Sequence, residues 1–185
     1  MWWPHNIIVA CWLVFLLYWI ISARGAKPSA ERPSAARVLA YRLPNLLGVI
    51  LFFVPDPFGP PLSEHLDAAR SLGAALCVLG LIGAIHSRRT LADNWSRDVE
   101  FKQGHKLIED GPYRFIRHPI YTSILLMLLG SALATNRVLA YLGCVCVLVG
   151  FFIKLKQEER LMLQHFPAEY PAYKARTKML VPFLV

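Results

Sequence analysis

Apolar residues in this chain come in long blocks, and the charged residues are confined to the stretches between them. A water-soluble domain would instead distribute charge along the outer face of each amphipathic element. Five blocks approach the roughly 20 residues that a helix needs to cross hydrocarbon: 6–23, 43–58, 69–87, 119–135 and 138–154. In the second, Pro44 opens the block and Pro55 and Pro57 close it early, which predicts a short, tilted or kinked helix. The first, Ile7 to Ile21, has no charge and no basic residue before it, and further spans follow. It is therefore expected to be a retained helix, not a cleaved signal peptide.

The predicted fold is an all-α integral membrane protein with about five transmembrane helices, forming one domain over residues 1–185. Residues 1–87 supply spans one to three. Residues 88–185 form the second half, with spans four and five and a C-terminal polar segment. Spans four and five are joined by only a few residues around Thr135, Asn136 and Arg137, so an antiparallel helical hairpin is expected that returns Pro119 and Lys154 to one level. Small residues four apart, Gly80 with Ala84 and Cys146 with Gly150, suit close helix packing.

The charges between spans set an orientation. Arg24, Lys27, Arg32, Arg37 and Arg42 follow span one; Asp56, Glu64 and Asp67 follow span two. Arg88 and Arg89 follow span three, and Lys154, Lys156 and Arg160 close span five. Under the positive-inside rule the N-terminus lies outside, and segments 88–118 and 155–185 lie in the cytoplasm, with a bacterial inner membrane as the expected setting. The net charge of +8 belongs to these flanks, so membrane lipid and not nucleic acid is the expected partner. Oligomeric state is not legible. Cys11, Cys77, Cys144 and Cys146 all fall inside apolar blocks without a C-x-x-C pair, which points to packing and not to zinc or disulfides.

Two polar segments carry candidate chemistry. The first, NWSRDVEFKQGHKLIEDGPYRFIRHPIY (94–121), suggests a short hairpin about Gln103-Gly104 and a turn at Asp110-Gly111-Pro112. It then runs through Arg117-His118-Pro119 into span four. Proline suits the first turn of a helix, and the positive end of the helix dipole beside His118 suits an anionic group. The second segment starts at Lys154, which shares a helical face with Glu158; a solvated pair fits that spacing as well as a site does. Glu158 and Glu159 are about 100° apart on a helix and cannot point at one atom, against a paired-carboxylate hydrolase. Tyr113 and Tyr121 suit either an interfacial belt or a ligand role. There is no phosphate-binding glycine loop and no nucleophile elbow, and His105 with His118 lacks the further ligands a metal needs.

HKLIEDGPYRFIRHPIY, followed about forty residues later by EERLMLQHFPAEYPAYKAR, resembles the isoprenylcysteine carboxyl methyltransferase family, distant relatives of the phospholipid methyltransferases. The likeness covers Leu91 to Pro182. It implies S-adenosylmethionine as cofactor, held by Asp98, His105, Lys106, Leu107, Ile108, Tyr113, His118, Pro119, Ile120, Tyr121 and Glu158. It also implies catalytic roles for His118, Lys154 and Glu158. Lys154 falls where the eukaryotic enzymes bind substrate through arginine, and lysine keeps the charge but loses the bidentate fork. Ser123 stands where many relatives have glycine, and Asp98 where the eukaryotic enzymes have glutamine.

The implied reaction is methyl transfer to a lipophilic, membrane-borne acceptor: an isoprenylcysteine-like carboxylate, a prenylated protein or a small lipophilic molecule. Alternatives are phospholipid N-methylation, in which His118 or Glu158 would take a proton, and an NADPH-dependent reductase of the sterol-reductase type. The latter shares a similar RHP-x-Y step and would use Arg114 and Arg117 for the 2′-phosphate. A scaffold or transporter would bind no cofactor, and transport usually places ionisable groups at mid-membrane, where these spans carry essentially none.

Overall fold

The computed structural model describes residues 3–25, 33–55, 57, 67–96, 98–99 and 106–181. Six α-helices order the described residues: α1 Trp3–Ser22, α2 Ala35–Phe53, α3 Asp67–Leu91, α4 Pro119–Thr135, α5 Val138–His165 and α6 Glu169–Arg176. No β-strand occurs among the described residues. Helices α1, α2, α3 and α5 are long and apolar enough to cross a membrane; α4, at 17 residues, is a shorter apolar helix. The chain is thus an all-α, multi-pass membrane protein. Its outward leucines and isoleucines, such as Leu13, Leu79 and Ile82, are exposed because lipid is their solvent.

The ends of these helices follow local chemistry. Pro119 occupies the first turn of α4, and Asn136, at φ 49°, closes it in the left-handed conformation. Pro44 does not open α2. That helix starts at Ala35, earlier than the apolar pattern alone suggested, and carries Pro44 in its interior. It stops at Val54 because the residue before Pro55 is driven into the extended region, here ψ 137°. Helix α5 runs eleven residues beyond the expected end of span five, to roughly 42 Å at 1.5 Å per residue. That is about 12 Å, or roughly two turns, more than a hydrocarbon layer of about 30 Å requires.

Backbone approach at glycine sets the packing. A Cβ on Gly73 would strike the Gly130 carbonyl, and one on Gly80 would lie 2.6 Å from the Ser123 carbonyl, so α3 and α4 pack closely. Gly48 of α2 faces Gly143 of α5 in the same way, with a Cβ 2.7 Å from its carbonyl. Spans four and five do form the expected antiparallel hairpin, but their tightest partners are α3 and α2. Of the small residues read from the sequence, Gly80, Ala84 and Gly150 are buried, while Cys146 is not. Helix α1 lays Ile8, Cys11 and Phe15 against Ala74, Cys77 and Ala84 of α3, and its Trp12 donates to Ser131 Oγ on α4 at 2.9 Å.

Alternating helix directions bring the C-terminal end of α1, the start of α2, the end of α3, the start of α4 and the latter part of α5 to one end of the bundle. There the C-terminal segment folds back. Ile116 pairs in parallel with Lys178; Arg117 N–H donates to the Lys178 carbonyl at 2.8 Å and His118 N–H to that of Met179 at 3.2 Å. The expected hairpin about Gln103-Gly104 lies outside the described residues.

Candidate functional site

A cavity of about 380 Å³ opens at this polar end, within the range of ligand sites. Its walls come from every spanning helix except α2: Trp19 and Ile20 of α1, Leu91 of α3, Ile120 and Tyr121 of α4, and Phe151, Lys154 and Glu158 of α5. Trp95, Asp98 and Lys106–Ile108 close one side, Tyr170 and Tyr173 of α6 another. Most of this wall is apolar, and its polar groups converge on α5.

Glu158 is their centre. Tyr121 donates its hydroxyl to Glu158 Oε1 at 2.5 Å, Lys154 Nζ stands 3.8 Å from the same oxygen, and His118 Nδ1 lies 3.6 Å from Oε2. Lys154, 8% exposed, rests its ammonium 5.4 Å from the Tyr41 ring centre and 5.5 Å from that of Tyr121. Such faces attract a cation that has lost water. Lys154 and Glu158 thus share one face as their spacing predicts, and both reach the cavity. Tyr113 packs behind them; burial, then the Glu158 charge, pushes its phenol well above the usual range.

Glu159 faces elsewhere, and the sequence reading gave it no role. It is 3% exposed and accepts from Arg117 Nε and Lys174 Nζ, each at 2.7 Å. Arg117 also donates to the Thr177 carbonyl at 2.5 Å. Its guanidinium, weighed above as a phosphate partner, is therefore committed to holding α5, α6 and the C-terminal segment together; Arg114 is exposed and does not line the cavity. Glu158 and Glu159 do not point at one atom, yet they flank the two nitrogens of one ring: His118 Nε2 lies 3.8 Å from Glu159 Oε1. That is beyond hydrogen-bond reach, and Nε2, like the Tyr170 hydroxyl, is buried without a hydrogen-bond partner among the described residues.

Of the remaining site residues, Lys106, Leu107, Ile108, Tyr113, Ile120 and Tyr121 line the cavity. Pro119 does not: it is buried at the first turn of α4, where it aims His118 and Tyr121. His105 lies outside the described residues. Asp98 lines the cavity, but its carboxylate accepts from the Tyr41 hydroxyl at 2.8 Å and from Arg42 Nη2 at 2.8 and 2.9 Å. Burial would raise this carboxyl; those hydrogen bonds outweigh it and hold the group below the usual aspartate value. Among the described residues no three His, Cys, Asp or Glu side chains are grouped to hold a metal. Sequence reasoning also missed Tyr41, Trp19 and Trp95, which carry no local signal beyond lying near the ends of apolar blocks.

Comparison with known proteins gives the chain a family. The family model for phospholipid methyltransferases matches residues 68–169, which include α3, α4 and α5. The chain is 25% identical to protein-S-isoprenylcysteine O-methyltransferase B of Arabidopsis thaliana over 147 residues, covering 78% of this chain and 74% of that protein. It is 29% identical over 116 residues to the protein-S-isoprenylcysteine O-methyltransferase of Saccharomyces cerevisiae, covering 61% of this chain and 48% of the yeast protein. Methanethiol S-methyltransferase 1 of Bradyrhizobium diazoefficiens is 31% identical over 71 residues, 38% of this chain and 24% of that protein.

Proposed function

We propose, starting from the fact that this chain belongs to the phospholipid methyltransferase family, that it methylates the carboxylate of a lipophilic, prenylcysteine-like acceptor with S-adenosylmethionine as donor. The observation that carries this reading is the pairing of Lys154 and Glu158 on one turn of α5, an anion partner and a cation partner facing one largely apolar cavity. The similar Arabidopsis and yeast proteins are named for that acceptor.

The donor set fits the cofactor. Glu158 can accept from its ammonium, while the buried His118 Nε2 and Tyr170 hydroxyl, which have no hydrogen-bond partner among the described residues, can meet its other polar groups. When bound, S-adenosylmethionine would supply a methyl group on a positively charged sulfur. The chain's own task is alignment and exclusion of water, and orientation is worth up to about 7–11 kcal/mol in such reactions. Lys154 orients the acceptor carboxylate, Tyr121 holds Glu158 in place, and the walls of Trp19, Ile20 and Phe151 receive the apolar chain. A carboxylate is already ionised at neutral pH, so the site requires no general base.

A phospholipid amine suits the cavity less well, because the Lys154 charge opposes a second cation and favours an anion. An NADPH site has lost Arg117 to Glu159. The basic flanks support a cytoplasmic site, with the N-terminus outside. The test is calorimetric titration of detergent-purified protein with S-adenosylmethionine and with NADPH, then a labelled-methyl assay over prenylcysteine, phospholipid and thiol acceptors. We expect saturable binding of S-adenosylmethionine and label in prenylcysteine. Binding of NADPH alone would overturn the cofactor; label only in lipid or thiol would overturn the acceptor.

A further inference from the structure

The resemblance assigns Asp98 to the cofactor, but its geometry points elsewhere. Both carboxylate oxygens are engaged by α2, Oδ1 by the Tyr41 hydroxyl and both by Arg42, 57 and 56 residues away in the chain. Tyr41 is 2% exposed, and its ring is one of the two on which the Lys154 ammonium rests. The second ring, Tyr121, is itself held by Glu158. Lys154 therefore lies between two tyrosines whose hydroxyls are each donated to a carboxylate.

We infer that Asp98 is a positioning residue: by holding the Tyr41 hydroxyl it fixes the ring against which Lys154 rests, and so sets where the acceptor's anionic group is received. This rests on the reading of Lys154 as the acceptor's partner. A flexible lysine stem would otherwise sample several rotamers, and a tethered ring narrows them before substrate arrives. Tyr41→Phe keeps the ring and loses the tether. Asp98→Asn keeps an acceptor for the hydroxyl, whereas Asp98→Ala removes it.

The experiment measures these three variants of the full chain, in detergent, with N-acetyl-S-farnesylcysteine as acceptor. Tyr41→Phe and Asp98→Ala should raise the acceptor KM roughly five- to tenfold, the scale of one ordinary intramolecular hydrogen bond. Their kcat and calorimetric Kd for S-adenosylmethionine should stay within about twofold of the parent, and Asp98→Asn should recover most of the acceptor KM. A weaker cofactor Kd in Asp98→Ala with unchanged acceptor KM would overturn the inference and return Asp98 to the cofactor; unchanged constants throughout would overturn it too. Tyr41→Phe keeps the buried ring volume, so it still decides the matter if Asp98→Ala fails to fold.

A second readout needs no acceptor: the rate at which acetic anhydride labels Lys154, followed by mass spectrometry. Labelling should be several-fold faster in Tyr41→Phe and Asp98→Ala, and an unchanged rate overturns the inference. If the parent protein methylates no acceptor, the proposed reaction fails, while the labelling rates still decide the tether.

Discussion

Arg117 donates from Nε to Glu159 Oε1 at 2.7 Å, and the two side chains are 6% and 4% exposed. They join the residue before the histidine of the RHP step to the second carboxylate of the EE pair. Removing Glu159 leaves the buried Arg117 charge with only neutral partners among the described residues, at a cost of about 3–5 kcal/mol, and removing Arg117 leaves the buried Glu159 with Lys174 alone. We therefore expect Glu159→Ala and Arg117→Ala to lower the thermal unfolding temperature sharply in detergent. A shift no larger than that of an exposed Arg114→Ala control would show the pair to be dispensable.

Glu158 has a different assignment, since it faces the cavity. Glu158→Gln keeps an oxygen for Tyr121 but loses the charge proposed to meet the ammonium of S-adenosylmethionine. A charged hydrogen bond is worth about 1.5–3 kcal/mol, so calorimetry should find S-adenosylmethionine bound roughly tenfold to a hundredfold more weakly, at unchanged unfolding temperature. His118→Ala should likewise abolish methyl transfer without unfolding the protein. Full activity in both variants would remove them from the site.

Gly80 tests the helix packing. An added Cβ would lie 2.6 Å from the Ser123 carbonyl and 2.7 Å from Met127 Cγ. Backbone gives way poorly, so Gly80→Ala should destabilise by about 1–3 kcal/mol. Its lipid-facing neighbour Leu79, 58% exposed, should tolerate alanine within about 0.5 kcal/mol. Thermal unfolding of both in one detergent makes the comparison.

Acid should act through Asp98. Its carboxyl is held below the ordinary value of 3.8 against the opposing effect of burial, by Tyr41 and Arg42 with a further contribution from Lys154. A depressed carboxyl contributes stability that is fully present above its unfolded value and lost as pH falls through the folded one. Unfolding temperatures should therefore drop in acid below about pH 4, and less steeply in Asp98→Asn. Equal slopes in both proteins would exclude Asp98 as a source of the acid sensitivity.

Hydropathy and charge by themselves determined the bundle: five apolar helices, a hairpin at Thr135–Arg137 and Pro119 opening α4. Each rests on a local rule, span length, turn chemistry or the missing proline N–H. Spacing likewise put Lys154 and Glu158 on one helical face, and the resemblance marked His118 and Tyr121. Only the tertiary structure decided the rest. The start of α2 moved ahead of its apolar block because packing on α5 carries a helix through Pro44. Glu159 acquired partners because the segment after α6 folds back to pair beside Arg117. Asp98 met Tyr41 across 57 residues, where no periodicity connects them. Which carboxylate faces the cavity and which is buried as a support depends on what packs against each side of α5, and that is a property of the assembled bundle.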